Sequence, residues 1–105
     1  MGRFVTVANT SDIADRSAIS VEVEGKTLAL FNLGGEFYAI DDLCTHEDAP
    51  LCEGFIEGDE VECPWHAARF NIKTGKALCP PAYEDVARYN VRVDDDGSLA
   101  VELEG

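Results

Sequence analysis

An all-β fold is predicted by three features of this 105-residue sequence. Apolar residues recur at period two rather than 3.6, the apolar segments are short, and Gly- and Asp-containing turns separate them. Phe4, Val5 and Val7 open a first strand. Ile19, Val21 and Val23 alternate with Ser20, Glu22 and Glu24, the pattern of a strand with one solvated face. Glu24-Gly25-Lys26 turns the chain, Thr27 to Leu33 returns, Gly34-Gly35 is a hairpin signal, and Glu36 to Ile40 completes a meander. Near the other end Val86 to Val93 reads as one strand running into the turn Asp94-Asp95-Asp96-Gly97, and Leu99, Val101 and Leu103 form a closing strand. Asp12 to Ala18 is the only stretch suited to a helical turn, with Ser11 as its N-cap. No repeat or linker divides the chain, so residues 1–105 read as one domain.

Composition excludes several classes of function. With 46% hydrophobic and 28% charged residues the chain is neither disordered nor of low complexity. Asp and Glu number 21 against 8 Lys and Arg, for a net charge of -13, which opposes binding to nucleic acid or to anionic membrane and favours a basic patch on another protein. The longest apolar run lies within Thr27–Phe31, far short of the roughly 20 residues a bilayer-spanning helix needs. The N-terminus reads as a strand and lacks the apolar core of a secretory signal, which predicts a cytoplasmic protein. In a reducing compartment, grouped Cys and His point to metal rather than to disulfides.

Between the strand-rich ends lies a segment of another kind, roughly 41–81, dense in Cys, His, Pro and Gly and read as loop-like. All four cysteines and both histidines fall within it. Cys44-Thr45-His46 supplies one thiol and one imidazole, Cys63-Pro64-Trp65-His66 supplies a second pair, and 16 residues separate His46 from Cys63. Two thiolates and two imidazoles on two loops suit a tetrahedral zinc, or a sulfide-bridged pair of irons. The competing view makes these residues ordinary core and surface groups. It fits poorly with a chain whose only two histidines each follow closely on a cysteine.

The pattern Cys44-x-His46 … Cys63-x-x-His66, followed by Ala67-Ala68-Arg69-Phe70-Asn71 and Gly75, resembles the Rieske iron–sulfur signature. Together with the flanking strands and the Cys79-Pro80-Pro81 loop, it makes the whole chain similar to the small Rieske ferredoxins of bacterial aromatic-ring-hydroxylating oxygenases. The resemblance implies an antiparallel β base with a cluster-binding subdomain, approximately residues 41–81, at one tip. It implies one Rieske-type 2Fe-2S cluster, with Cys44 and Cys63 on one iron and His46 and His66 on the other. It further implies a monomeric one-electron carrier, not an enzyme, that passes electrons in transient complexes from a flavin-dependent reductase to a terminal oxygenase. The rest of the chain offers no acid/base pair, nucleophile or open metal site for substrate chemistry.

Departures from related proteins refine the expectation. Rieske proteins of respiratory complexes carry an extra disulfide, whose cysteines correspond here to Ala49 and Trp65, and sulfur-directed Ser and Tyr hydroxyls where this chain has Ala68 and Phe70. Their loss favours a low-potential type. Ala67 and Asn71 replace a frequent Gly and acidic residue, which bears on turn geometry alone. Cys52 and Cys79 have no histidine partner and are read as small side chains without a role. Trp65 reads as a lid over the cluster, slightly ahead of an exposed aromatic anchor for docking, Pro80-Pro81 equally as a rigid cover or a loop terminator, and Glu47, Asp48 and Glu53 equally as partner-recognition groups or a solvated face. Two other functions compete with the electron carrier: a small Rieske subunit of another redox enzyme such as nitrite reductase, and a structural zinc module.

Overall fold

The two faces of one strand organise the molecule. The computed structural model describes residues 2–42, 50–64, 68–79 and 85–104. Its central sheet contains β2 (Ser17–Val23), β3 (Lys26–Leu33), β4 (Glu36–Asp41) and β9 (Arg88–Tyr89), antiparallel in the order β2-β3-β4-β9. Leu28 and Leu30 of β3 face one core with Val23, Ala39, Leu99, Val101 and Leu103. Ala29, Phe31 and Leu33, pointing the other way, face a second core with Ile40, Leu51, Val61, Phe70 and Ile72. Burial on both sides is why this strand lacks the apolar–polar alternation that marks β2.

The predicted meander is present in register. Val23 pairs with Lys26 and Leu33 with Glu36, leaving the two-residue turns Glu24-Gly25 and Gly34-Gly35. All four turn residues have positive φ, at 50°, 82°, 67° and 95° in sequence order, so both turns follow the right-handed strand twist. Glu24 adopts this conformation without glycine's freedom, and its carboxylate pairs with Arg3.

An outer sheet, ordered β1-β11-β10, covers the first core with β1 (Gly2–Asn9), β11 (Ser98–Glu104) and β10 (Val91–Val93). Here the structure corrects two expectations. The single strand expected over Val86–Val93 is two short ones: β9 pairs with β4 and β10 with β11, so the chain changes sheets at Asn90. Asn90 makes the crossing possible by accepting from Glu102 N at 2.9 Å and donating from its side chain to Glu102 at 2.8 Å. The helical turn is a 3-10 turn at Thr10–Asp12, earlier than expected, and its N-cap is Asn9, not Ser11. Asn9 Oδ1 accepts from Ser11 N while Asp12 accepts from Asn9 N, a reciprocal cap that closes the turn before Ser17 begins β2. Asp94 to Gly97 is the expected turn, with Gly97 N donating to Asp94 O at 2.9 Å.

The second core is closed by a sheet that sequence patterning did not reveal. β5 (Phe55–Glu57), β6 (Glu60–Glu62), β7 (Arg69–Asn71) and β8 (Ala77–Cys79) form an antiparallel sheet within the segment read as loop-like. Three residues are too few to display a period, and what holds the strands is tertiary: Val61 and Phe70 pair across β6 and β7 and are both fully buried in the second core. Asn71 ends β7 by accepting from Lys73 N at 2.9 Å and Thr74 N at 3.1 Å, an Asx turn that leads to Gly75.

Cys52 sits in the 3-10 turn Leu51–Glu53, half-buried against the second core. Burial and then the hydrogen bond with the Asp42 carboxylate push its thiol up to about 12.

Two glycines mark places where backbones meet. A Cβ on Gly54 would lie 2.2 Å from the Glu62 carbonyl oxygen, and one on Gly75, whose φ is 79°, would lie 2.2 Å from that of Val86. Gly54→Ala and Gly75→Ala are each expected to destabilise the fold by about 1–3 kcal/mol, which for a domain of this size lowers Tm by roughly 4–8 °C per kcal/mol. Thermal unfolding followed by circular dichroism checks this, and an unchanged Tm would contradict the close approach.

A second expectation concerns pH. An unfolded cysteine ionises near pH 8.5, whereas folded Cys52 keeps its proton up to about 12. The contribution of Cys52 is therefore intact below pH about 8.5 and is lost progressively as pH rises toward about 12, because only the unfolded chain releases the proton. Denaturation of the parent and Cys52→Ala at about pH 7.5 and about pH 10 should show the parent losing more stability than the variant; equal losses would place an ordinary thiol there.

Candidate metal centre

Of the four expected ligands, Cys63 lies within the described residues; Cys44, His46 and His66 lie outside them, as do Trp65, Pro80, Pro81, Glu47, Asp48, Ala49 and Ala67. Cys63 follows β6 directly and is 1% exposed, within the second core beside Leu51, Val61, Ala68 and Phe70. Its N–H donates to Ala68 O at 2.7 Å, so the two described residues flanking 64–67 are tied to each other. A sulfur shielded from water at the foot of such a segment suits a soft thiolate ligand of iron. The donor set of two cysteines and two histidines fits the mixed ligation of a Rieske centre.

Sheet topology brings one foot of each of the other two segments to the same edge. Phe55, Glu62, Arg69 and Cys79 form one row across β5, β6, β7 and β8 by their pairing. At that row β5 begins, β6 runs into Cys63, β7 leaves Ala68, and β8 ends before residue 80. The turns at Gly58 and at 72–76 lie at the opposite end. Residues 65–67 are thus flanked on both sides by strand ends of this sheet, whereas 43–49 and 80–84 each run between it and the central sheet, 43–49 departing from β4 and 80–84 returning to β9.

Three aspartates hold those ends, and the sequence reading singled out none of them. Asp42, 3% exposed, donates its N–H to Thr27 O at 3.1 Å, accepts from Leu51 N at its own carbonyl, and accepts from Cys52 N at Oδ1 at 2.9 Å. Asp41 binds the chain beyond 80–84: its N–H donates to Ala87 O at 2.9 Å and its carboxylate accepts from the Tyr89 hydroxyl at 2.7 Å. Asp85 accepts from Ala77 N at 2.8 Å, and Val86 N donates to Gly75 O at 2.8 Å. The signal that could have found them is their position, short polar acceptors immediately outside the Cys- and His-bearing stretches.

Charge around this edge is mostly negative. Arg69 is the cation of its row, with its guanidinium 3.1 Å from Glu62, 3.4 Å from Glu60 and 3.7 Å from Glu57. Hydrogen bonding to Glu60 leads the causes that raise its pKa. Glu53 is exposed nearby in sequence, and Phe55 is 65% exposed at the start of β5. Ala68 and Phe70, flanking Arg69, are fully buried, and neither side chain has a hydrogen to donate to a sulfur.

Comparison with known proteins agrees with this architecture. Residues 3–90 match the Rieske [2Fe-2S] domain family. The ferredoxin component of the naphthalene 1,2-dioxygenase system of Pseudomonas putida is 43% identical over 93 residues, 89% of each chain. The 3-phenylpropionate/cinnamic acid dioxygenase ferredoxin subunit of Escherichia coli strain K12 is 46% identical over 94 residues, 89% of this chain and 87% of that one. A solved complex of reduced oxygenase and oxidised ferredoxin in carbazole 1,9a-dioxygenase contains a chain that superposes with a TM-score of 0.86 at 34% identity, covering 93% of this chain and 91% of that one. Sheet order, the shielded Cys63 and a match that runs through most of the sequence lead to one conclusion: the chain belongs to the Rieske family of 2Fe-2S proteins.

Proposed function

We propose that this chain is a cytoplasmic one-electron carrier that takes electrons from a flavin-dependent reductase and gives them to the terminal oxygenase of an aromatic-ring-hydroxylating system. The observation that carries the reading is the agreement along nearly 90% of the chain with ferredoxin components of such systems, together with the row of β5 to β8 strand ends from which Cys63 and both sides of 65–67 leave. When bound, the 2Fe-2S cluster supplies a one-electron couple. Cys44 and Cys63 would hold it as thiolates and His46 and His66 through ring nitrogens, the segment 41–81 acting as the cluster-binding subdomain of the single domain. The buried position of Cys63 keeps water from that sulfur, and the two closed cores give a rigid base, which lowers the reorganisation that electron exchange requires. The net charge of -13 steers encounter toward basic partner faces and suits short-lived complexes. Substrate oxidation belongs to the oxygenase.

The zinc-module alternative separates cleanly by experiment. Purified chain should contain two irons and two acid-labile sulfides, and the reduced protein should show the low mean g value of mixed His/Cys ligation in electron paramagnetic resonance. His66→Ala should abolish that spectrum while circular dichroism retains the strand signature; zinc in place of iron would overturn the reading.

The potential follows from Ala68 and Phe70. Rieske potentials span about -150 to +300 mV, and donors to sulfur raise them by stabilising the more negative reduced state. With no hydroxyl at either position, the midpoint should fall near the low end. A hydrogen bond to a charged group contributes about 1.5–3 kcal/mol, which at one electron corresponds to roughly 60–130 mV. Ala68→Ser with Phe70→Tyr should therefore shift the midpoint upward by at most about that amount per donor. Redox titration of both proteins is the check, and an unchanged variant would refute the sulfur-donor account.

A further inference from the structure

Among the described residues, Asp42 is the only charged side chain that the fold buries, at 3% exposure. Removing a carboxylate from water is costly unless hydrogen bonds replace those to solvent. Its carboxylate and its carbonyl both bind the returning foot of one segment, while its N–H anchors the departing foot to β3. Residue 42 leaves β4, its backbone is tied to Thr27 of β3, its carbonyl accepts from Leu51 N, and its Oδ1 accepts from Cys52 N at 2.9 Å. Leu51 is itself fully buried in the second core, and the Gly54 backbone that follows lies against Glu62, the neighbour of Cys63. The carboxylate thus joins the departing foot of residues 43–50 to their returning foot and, through Gly54, to the foot of the second ligand segment.

We propose that Asp42 is a positioning residue for the segment bearing Cys44 and His46, and that its buried negative charge also holds the cluster's potential down. This rests on the assignment of those two residues as ligands. A carboxylate accepting from a backbone N–H makes a charge-assisted bond, shorter and stronger than a neutral one. It fixes where the segment starts and ends, and ligand atoms must be held to within about 0.5 Å for a metal centre to form reproducibly. Two positions before Cys44, a fixed anion in a weakly screened interior disfavours the reduced cluster, which carries one more negative charge.

Three variants test both parts: Asp42→Asn, Asp42→Ala and Cys52→Ala, each assayed for iron and sulfide per folded chain, g values of the reduced protein, and midpoint potential. Asp42→Asn keeps an acceptor for Cys52 N but removes the charge, so it should load iron as the parent does and titrate at a higher midpoint. Asp42→Ala should lose at least threefold in iron and sulfide per folded chain. Cys52→Ala keeps the N–H bond to Oδ1 and loses the thiol's own bond to the same carboxylate, so its loading should lie closer to the parent's than that of Asp42→Ala. A midpoint for Asp42→Asn equal to or below the parent's would overturn the electrostatic part, and full loading of Asp42→Ala with parental g values would overturn the positioning part. Should Asp42→Ala fail to fold, comparison of Asp42→Asn with parent decides: lost loading overturns the claim that the acceptor suffices, and parental loading with a raised midpoint supports it. A parent chain without iron would overturn the ligand assignment itself, a separate failure.

Discussion

Burial of β3 on both faces is the constraint on which the other elements depend. Leu28 and Leu30 require a cover on one side, Ala29, Phe31 and Leu33 on the other, and each cover is a sheet of its own. The first is built from the two ends of the chain, β1 and β11, whose pairing runs from Gly2↔Glu104 to Asn9↔Ser98. The second is built from the middle of the chain and is the sheet that bears Cys63. In a molecule of 105 residues the area available for burial is limited, so the sheet that carries the ligand segments also completes the core. Cys63, the proposed ligand among the described residues, is packed in that same core with Leu51, Val61, Ala68 and Phe70.

That sharing explains the division of labour between apolar and polar groups at the ligand-bearing edge. Strands of three residues make few ladder bonds, so the positions of their ends are set largely by single contacts. Cys63 N to Ala68 O sets one, Asp42 to Leu51 and Cys52 another, Asp85 to Ala77 and Gly75 to Val86 a third. Glycine is required at 54 and 75 because a carbonyl of another chain segment, that of Glu62 and of Val86, occupies the space a Cβ would need.

The electrostatics follow the same economy. Arg69 of β7 partly offsets three glutamates on β5 and β6 within a chain whose net charge is -13. Exposed ion pairs of this kind contribute little to stability. Their consequence is long-range, in the field a basic partner meets on approach.

Much of this was legible in the sequence. Period-two alternation in Ile19–Val23, the glycine pair at 34–35 and the Asp94–Gly97 turn are local signals, and each element stands where they put it. The Cys-x-His and Cys-x-x-His spacings indicated the chemistry because a metal selects ligand type before it selects geometry. Other features lay beyond reach. β5 to β8 have no period because they are three residues long, and they exist as strands because distant β3 offers an apolar face to Val61 and Phe70. The break at Asn90 came from competition between two sheets for one stretch of chain, and the roles of Asp41, Asp42 and Asp85 came from backbone groups that meet them only after folding. Sequence by itself determined the fold class, the turns and the Cys and His pattern characteristic of the family, since these depend on local conformational preference and donor chemistry. Only the tertiary structure decided which short segments pair and which carboxylates hold them, since those choices depend on contacts between residues far apart in the chain.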